Sequence, residues 1–179
     1  YNSFESSRLR KTINNLTSAV ENKKDQPDTT TSRFGIYLQD EVSYGKLDFI
    51  AGVRYDNYDL DAEADAIFLA SSDVGTPLAA DHSSDALSPS LVASYNWNPS
   101  FSTYAKYAKG FRAPSYMEIN SSRNPGYYTT LSNPDLKAET SDTFEVGLKH
   151  NSKKHNLAAS LYLSKYKDFI ESYKLVGPG

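Results

Sequence analysis

Apolar residues in this chain recur at every second position, and the segments carrying that alternation are joined by connections that are short and long in turn. Phe34, Ile36, Leu38 and Val42 share one side of an extended run whose other side is Gly35, Tyr37, Gln39 and Glu41. After a tight Ser43-Tyr-Gly-Lys46 turn, Leu47, Phe49, Ala51, Val53 and Tyr55 alternate with Asp48, Ile50, Gly52, Arg54 and Asp56. The pattern returns from Leu91 to Trp97, from Phe101 to Gly110, at Phe144, Val146 and Leu148, and at Leu157, Ala159, Leu161 and Leu163. A period of two is that of a β-strand with one apolar and one polar face, so about six strands of ~8–12 residues are expected.

The order of the connections narrows the fold. Turns near 43–46, 98–100 and 151–155 are short, whereas 60–88 and 112–142 are long and polar. All the long connections then fall at one end of the sheet. A soluble antiparallel sheet offers the same period but no reason for that segregation. A transmembrane antiparallel β-barrel does, with short turns facing the periplasm and long loops facing outside. The expected fold is therefore all-β and transmembrane, with apolar faces toward lipid, polar faces toward the lumen and Phe34, Tyr44, Tyr55, Trp97, Phe101 and Phe169 suited to interfacial girdles. Six open strands would leave two unpaired edges in lipid. The chain thus reads as part of a larger barrel rather than a small eight-stranded one, in keeping with a sequence that opens at Tyr1 and has Met117 as its only methionine.

The expected organisation assigns strand pairs with short turns to 33–59, 89–110 and 143–167. Residues 60–88, 111–142 and 1–32 are assigned to extracellular loops, and no plug domain is expected within these residues. Leu9, Ile13, Leu16 and Val20 recur at helical spacing among charged residues, so a short surface helix is expected within 5–24.

Composition removes several function classes. No apolar run approaches the ~18 residues of a transmembrane helix. A net charge of −3 argues against a nucleic-acid partner held through phosphates. Without cysteine there is no thiolate nucleophile and no Cys-ligated metal. No HExxH, GxSxG or phosphate-binding loop occurs, so the expectation is a protein that is not an enzyme. Tyrosine accounts for 14 residues, and these distribute over girdle, lumen and loop positions.

Candidate sites lie in the loops. Asp56, Asp59, Asp61, Glu63, Asp65, Asp73, Asp81 and Asp85 make the first long loop acidic, and alternate members share one side of an extended chain. That row suits either a hard divalent cation such as Ca²⁺ or a loop kept soluble by charge. The second long loop opens with Gly110-Phe-Arg-Ala-Pro114 and closes with Asn133-Pro-Asp-Leu136. Pro114 and Pro134 lack an N–H and so end strand pairing. Asn133 is expected to hold a turn through its side chain.

These two boxes resemble the FRAP and NPDL boxes of TonB-dependent outer-membrane receptors, in particular the haem and haemoglobin receptors. Eighteen residues separate Pro114 from Asn133. Residues 141–149, Ile36-Tyr-Leu-Gln-Asp-Glu41 and Gly52-Val-Arg-Tyr-Asp56 are similar to strands of the same family, so the resemblance covers ~30–172. It implies a slice of a barrel of about 22 strands, whose plug and TonB-contacting motif lie elsewhere. It also implies haem as a transported ligand rather than a prosthetic group. Partners would be haem or a haemoprotein, TonB through the plug, and outer-membrane lipid and lipopolysaccharide. Many family members carry a haem-binding histidine between the boxes. None stands there in this chain, whose histidines are His82, His150 and His155.

The resemblance instead points to Tyr128, followed by Thr-Thr-Leu-Ser into Asn133-Pro-Asp-Leu136, because phenolate is an axial ligand of ferric haem. Tyr127 and Arg123 would accompany it, the cation helping to lower a tyrosine that titrates near ~10 when free. Tyr116 is a further loop tyrosine. The competing reading has Tyr127 and Tyr128 pack over a ligand without touching iron. Arg112 and Lys109 could draw haem propionates, or could be rim charges meeting lipopolysaccharide or a neighbouring carboxylate. A siderophore or other metal-chelate receptor is the alternative function within this fold, and a small structural or adhesive barrel the alternative outside it.

Overall fold

A computed structural model of the chain describes residues 2–13, 18–71, 79–121 and 130–171. Its strands are β1 (Asn2–Ser6), β2 (Arg10–Ile13), β3 (Val20–Lys23), β4 (Asp28–Tyr44), β5 (Leu47–Glu63), β6 (His82–Asn98), β7 (Phe101–Arg112), β8 (Glu139–Asn151) and β9 (Asn156–Lys167). Two single-turn helices, α1 (Ala66–Ala70) and α2 (Tyr116–Asn120), lie in the two long connections. One antiparallel sheet runs in the order β1-β4-β5-β6-β7-β8-β9, and β2 and β3 form a separate hairpin. The sheet is open, with β1 covering only the first few residues of β4.

Register joins the alternating faces into two continuous surfaces. Leu38 pairs with Val53, Val53 with Pro89, Leu91 with Tyr107, Tyr107 with Phe144 and Phe144 with Leu163. Side chains opposite one another point the same way, so an apolar ladder crosses all six long strands. Its members are exposed, among them Leu38, Leu91, Phe144, Val146, Leu161 and Leu163. On β5 the apolar ladder runs from Leu47 to Tyr55, about eight rises of ~3.3 Å. With strands tilted by ~40° that spans roughly 20 Å, close to the ~25 Å apolar band of a membrane barrel. Past Tyr107, Phe144 and Leu163 the same face turns to Lys109, Asp142 and Lys165, which are also in register. The opposite face is polar. There Tyr104 donates to Glu145 Oε1 at 2.6 Å, and its ring lies over Gly147 where a Cβ would come within 2.6 Å of it.

The short turns follow local chemistry. Gly45, at φ +62, takes the left-handed conformation the β4–β5 hairpin requires. Asn98 Oδ1 accepts from Ser100 N at 2.9 Å and closes the next turn. Tyr44, Trp97 and Phe169 are exposed near strand ends, as girdle positions should be, and Trp97 packs edge-on to Tyr95 at 4.7 Å.

Burial concentrates at the opposite end, where the long connections are. Tyr58 and Leu60 lie on the polar face of β5, yet are 4% and 1% exposed. Phe68 of α1 and Ile119 of α2 are buried at the same end, at 3% and 0%. The described parts of the connections, α1 and α2 among them, therefore fold back over the polar face. Each such burial contributes about 1.5–3 kcal/mol.

Two differences from the sequence reading have physical causes. The surface helix expected within 5–24 is absent among the described residues, which instead form β1 and the β2–β3 hairpin with Ile13 opposite Val20. A helix needs a buried stripe for stability. Leu9, Ile13 and Val20 stay exposed, so helical spacing brought no burial, and β-branched Ile13 and Val20 favour a pleated strand. The strands also run further than 33–59, 89–110 and 143–167, beginning at Asp28, His82 and Glu139. Beyond the apolar band both faces meet polar surroundings, so pairing continues after the alternation that reveals a strand has stopped.

Candidate functional site

The base of the second long connection is built by the two sequence boxes. Strand β7 delivers Arg112 opposite Glu139, the first residue of β8. Pro114 is buried and ends the strand, and Ser115 then caps α2. Ser115 and Glu118 form a capping box, in which Ser115 N donates to Glu118 Oε2 at 2.7 Å. Glu118 is thereby turned back toward Arg112. The guanidinium donates from Nε to Glu139 Oε2 at 2.7 Å and from Nη2 to Glu139 Oε1 at 2.9 Å. It also meets Glu118 through Nη1 and Nη2, both at 3.1 Å. Glu139 Oε1 further accepts from Ile170 N at 2.6 Å.

This trio lies past the Lys109–Asp142–Lys165 row and so outside the apolar band. The hydrogen bonds from Arg112 hold Glu139 far below its ordinary range, at about 2. Glu139 first and Glu118 second raise Arg112 above its usual value. Burial alone would raise Glu118, but Arg112 and Ser115 outweigh it and keep the carboxyl ionised. Two carboxylates thus already occupy Arg112, which sets the loop's base as a bidentate clamp.

The second box closes on the first. Asn133 Oδ1 accepts from Asp135 N at 3.2 Å, the side-chain turn its position predicts. Its own N–H donates to Ile119 O at 3.0 Å, joining the NPDL box to α2. Asn120 next door is 1% exposed and pairs with both backbone groups of Ala80 in the first long connection. Ala80 N donates to Asn120 Oδ1 at 2.7 Å, and Asn120 Nδ2 donates to Ala80 O at 2.8 Å. The two long connections are therefore one linked structure.

A third tie comes from Lys24, which is 7% exposed. Its ammonium donates to Asp28 Oδ2 at 2.6 Å and to Asp65 Oδ2 at 2.7 Å, while Asp65 Oδ1 caps α1 by accepting from Phe68 N at 2.8 Å. Burial works against the charge, but the two carboxylates prevail and hold Lys24 above its ordinary value. Glu118 and Asn120 went unremarked in the sequence reading, which takes Lys24 only as a charge flanking the expected helix and Glu139 only as a loop or lumen polar group. Only Glu118 left a local signal, the Ser115-x-x-Glu118 spacing of a capping box.

Of the predicted ligand residues, Arg112 is placed as described, and Tyr116 opens α2 half-buried. Tyr127, Tyr128 and Arg123 lie outside the described residues. His150 and His155 stack at 5.5 Å beside the 152–155 turn, at the far end of the sheet from the loop. His82 sits on the polar face of β6 with Ser84 2.6 Å from its Nε2. The acidic row does not converge. Asp56 pairs with Arg54, Asp59 accepts from Ser83, Asp81 accepts from Ala62 N and Asp65 turns to Lys24. Among the described residues no group of three or more acidic or histidine side chains is arranged to hold a metal ion.

A family model described as TonB dependent receptor-like, beta-barrel, matches residues 1–179. The chain belongs to this family. Hemoglobin-haptoglobin utilization protein B of Neisseria meningitidis serogroup C is 32% identical over 123 residues, covering 68% of this chain and 15% of that protein. The hemoglobin and hemoglobin-haptoglobin-binding protein of Haemophilus ducreyi is 33% identical over 112 residues, 62% of this chain and 10% of that protein. The chain thus spans a small fraction of the curated relatives it matches. Among solved structures, the hemophore receptor HasR of Serratia marcescens superposes with a TM-score of 0.63 at 19% identity, covering 82% of this chain and 27% of HasR. The copper transporter OprC gives 0.66 at 18% identity, covering 90% and 25%. Both likenesses concern the fold. The seven-stranded sheet is accordingly a section of a TonB-dependent receptor barrel, its apolar ladder facing lipid and its polar face the lumen.

Proposed function

We propose that the full receptor takes up haem across the outer membrane using energy delivered by TonB, and that the 111–142 loop captures the ligand. The observation that carries this reading is sequence identity above 30% to proteins named for haemoglobin and haemoglobin–haptoglobin use. The linked loop base supports it, because a ligand loop has to be presented by a rigid frame. In this reading 1–32, 60–88 and 111–142 face the medium. Tyr128 ligates ferric iron as phenolate, Arg123 lowers the cost of ionising it, and Tyr127 packs on the porphyrin. Arg112 acts by fixing the loop's base. Haem is cargo, released to the lumen once TonB acts on the plug.

The test is growth of a receptor-deleted strain on haemoglobin, or on hemin, as sole iron source. Plasmid-borne parent receptor restores growth and the Tyr128→Ala variant does so poorly at limiting hemin. Restoration of growth on a ferric siderophore but not on hemin would favour the metal-chelate alternative and overturn the haem reading.

A further inference from the structure

Two of the chain's three histidines meet at the short-turn end of the sheet, far from the loops that ligand capture uses. His150 is the penultimate residue of β8, and His155 stands just before β9 across the 152–155 turn. His150 continues the outward face of Phe144, Val146 and Leu148 and is in register with Phe101 and Leu157. The two imidazole rings lie 5.5 Å apart between centroids at an interplanar angle of 32°, so His155 joins His150 on that face.

The turn fixes the backbone of both residues. Ser152 Oγ donates to His155 O at 2.8 Å and accepts from His155 N at 3.1 Å, and Ser152 N donates to the same carbonyl at 3.0 Å. Asn151 N donates to Ser100 O at 2.8 Å and ties the end of β8 to the neighbouring turn. The imidazoles themselves are uncommitted. Among the described residues neither ring makes a hydrogen bond or an ion pair. His155 is exposed and His150 half-buried. Lys149 points to the other face, where its ammonium lies over the Tyr104 ring at 5.4 Å. Lys153 and Lys154 are exposed in the turn, so solvent and salt screen their charge from the rings.

The neighbouring short turn carries a different pair on the same outward face, Tyr95 and Trp97 packed edge-on at 4.7 Å, as an interfacial girdle requires. Two adjacent imidazoles give up that apolar surface and offer nitrogen donors instead. Neutral imidazole is a common ligand of borderline divalent ions. An ion at ~2.0–2.1 Å from two such nitrogens holds them roughly 3 Å apart. Rings with centroids 5.5 Å apart meet that separation when each turns one nitrogen toward the other.

We propose that His150 and His155 form a chelating site for a divalent transition-metal ion at the short-turn, periplasmic end of the barrel wall, with water completing the coordination shell. It is a pair and not a closed cage of three or more donors, which the described residues lack. Cu²⁺ is the preferred occupant, being the strongest binder of the first-row divalent series, with Ni²⁺ and Zn²⁺ behind it. Hard ions such as Ca²⁺ and Mg²⁺ require oxygen ligands and are not held. Both donors sit on one fixed hairpin, so the second imidazole binds intramolecularly and the pair exceeds either alone. The site rests on this hairpin and not on haem as the cargo.

The test is a titration of the full receptor, purified in detergent and stripped of metal with a chelator, with Cu²⁺ alone. Calorimetry gives the affinity, and electron paramagnetic resonance counts the coordinating nitrogens. The parent holds a Cu²⁺ ion with the splitting of two imidazole nitrogens. His150→Gln and His155→Gln each weaken it by at least about tenfold, a loss that even the outer partners of ligating histidines cause. The double variant loses that ion, and His82→Gln keeps it. His155 is exposed, so its single variant folds as the parent does and suffices for the test. The same Cu²⁺ stoichiometry and spectrum in parent and double variant, a loss on substituting only one of the two histidines, or displacement by millimolar Mg²⁺ would each overturn the assignment.

Discussion

Arg112 shows how a residue legible in sequence can acquire its meaning from partners that are not. Its box marks it, but Glu118 and Glu139 stand 6 and 27 positions away, and only strand register and a helix cap bring them to the guanidinium. The pH dependence follows from Glu139. Its folded value of about 2 lies below the ordinary 4.5, so its stabilising contribution is fully present above pH ~4.5 and is lost as pH falls toward 2. Backbone hydrogen-exchange protection of residues 113–121 in the full receptor should fall across that window, and Arg112→Gln should remove it already at neutral pH. Protection unchanged from pH 5 to 2 would contradict the clamp. Gly147 is a second case, since its neighbour Tyr104 is its register partner and fills the space a side chain would need. Gly147→Val should cost roughly 1–3 kcal/mol through overpacking, measured as a lower midpoint in denaturant unfolding from detergent.

At the scale of elements, the six long strands and their short turns were readable because one face meets lipid, and lipid enforces a strict apolar alternation. The same reasoning fails where the strands leave the band. Asp28-Thr-Thr-Thr-Ser32 and His82-Ser-Ser-Asp85 carry no alternation, though they pair in register. α1 and α2 are too short for a helical period to show, and their evident marks are the caps Asp65 and Ser115. What makes these pieces one unit is Asn120 on the Ala80 peptide. Asn120→Ala leaves the half-buried N–H and C=O of Ala80 without their side-chain partner, at about 1 kcal/mol each. Limited proteolysis of the full receptor should then cut both 64–81 and 113–138 faster, since each connection loses its anchor. Faster cleavage confined to one of them would argue against the linkage.

The whole molecule is a wall section, and its energetics are those of a sheet between two solvents. The low hydrophobic fraction of 39% reflects one face wet and one end capped by polar connections. Both long edges, β4 beyond Arg33 and β9, lack strand partners in this sheet. Expressed alone in water, the 179 residues should aggregate or require detergent, because an apolar ladder and two edges stay uncovered. A soluble, monomeric, cooperatively unfolding product would overturn the barrel reading.

The proposed haem capture by the 111–142 loop is open to a hemin titration of the purified full receptor followed by absorbance. The parent should bind with the spectrum of phenolate-ligated ferric haem. Tyr128→Ala, and Tyr128→Phe with the ring kept, should both lose that spectrum and weaken binding by about tenfold or more, on the order of 1.4 kcal/mol. A parent that binds no hemin, or variants that match it in spectrum and affinity, would contradict the account.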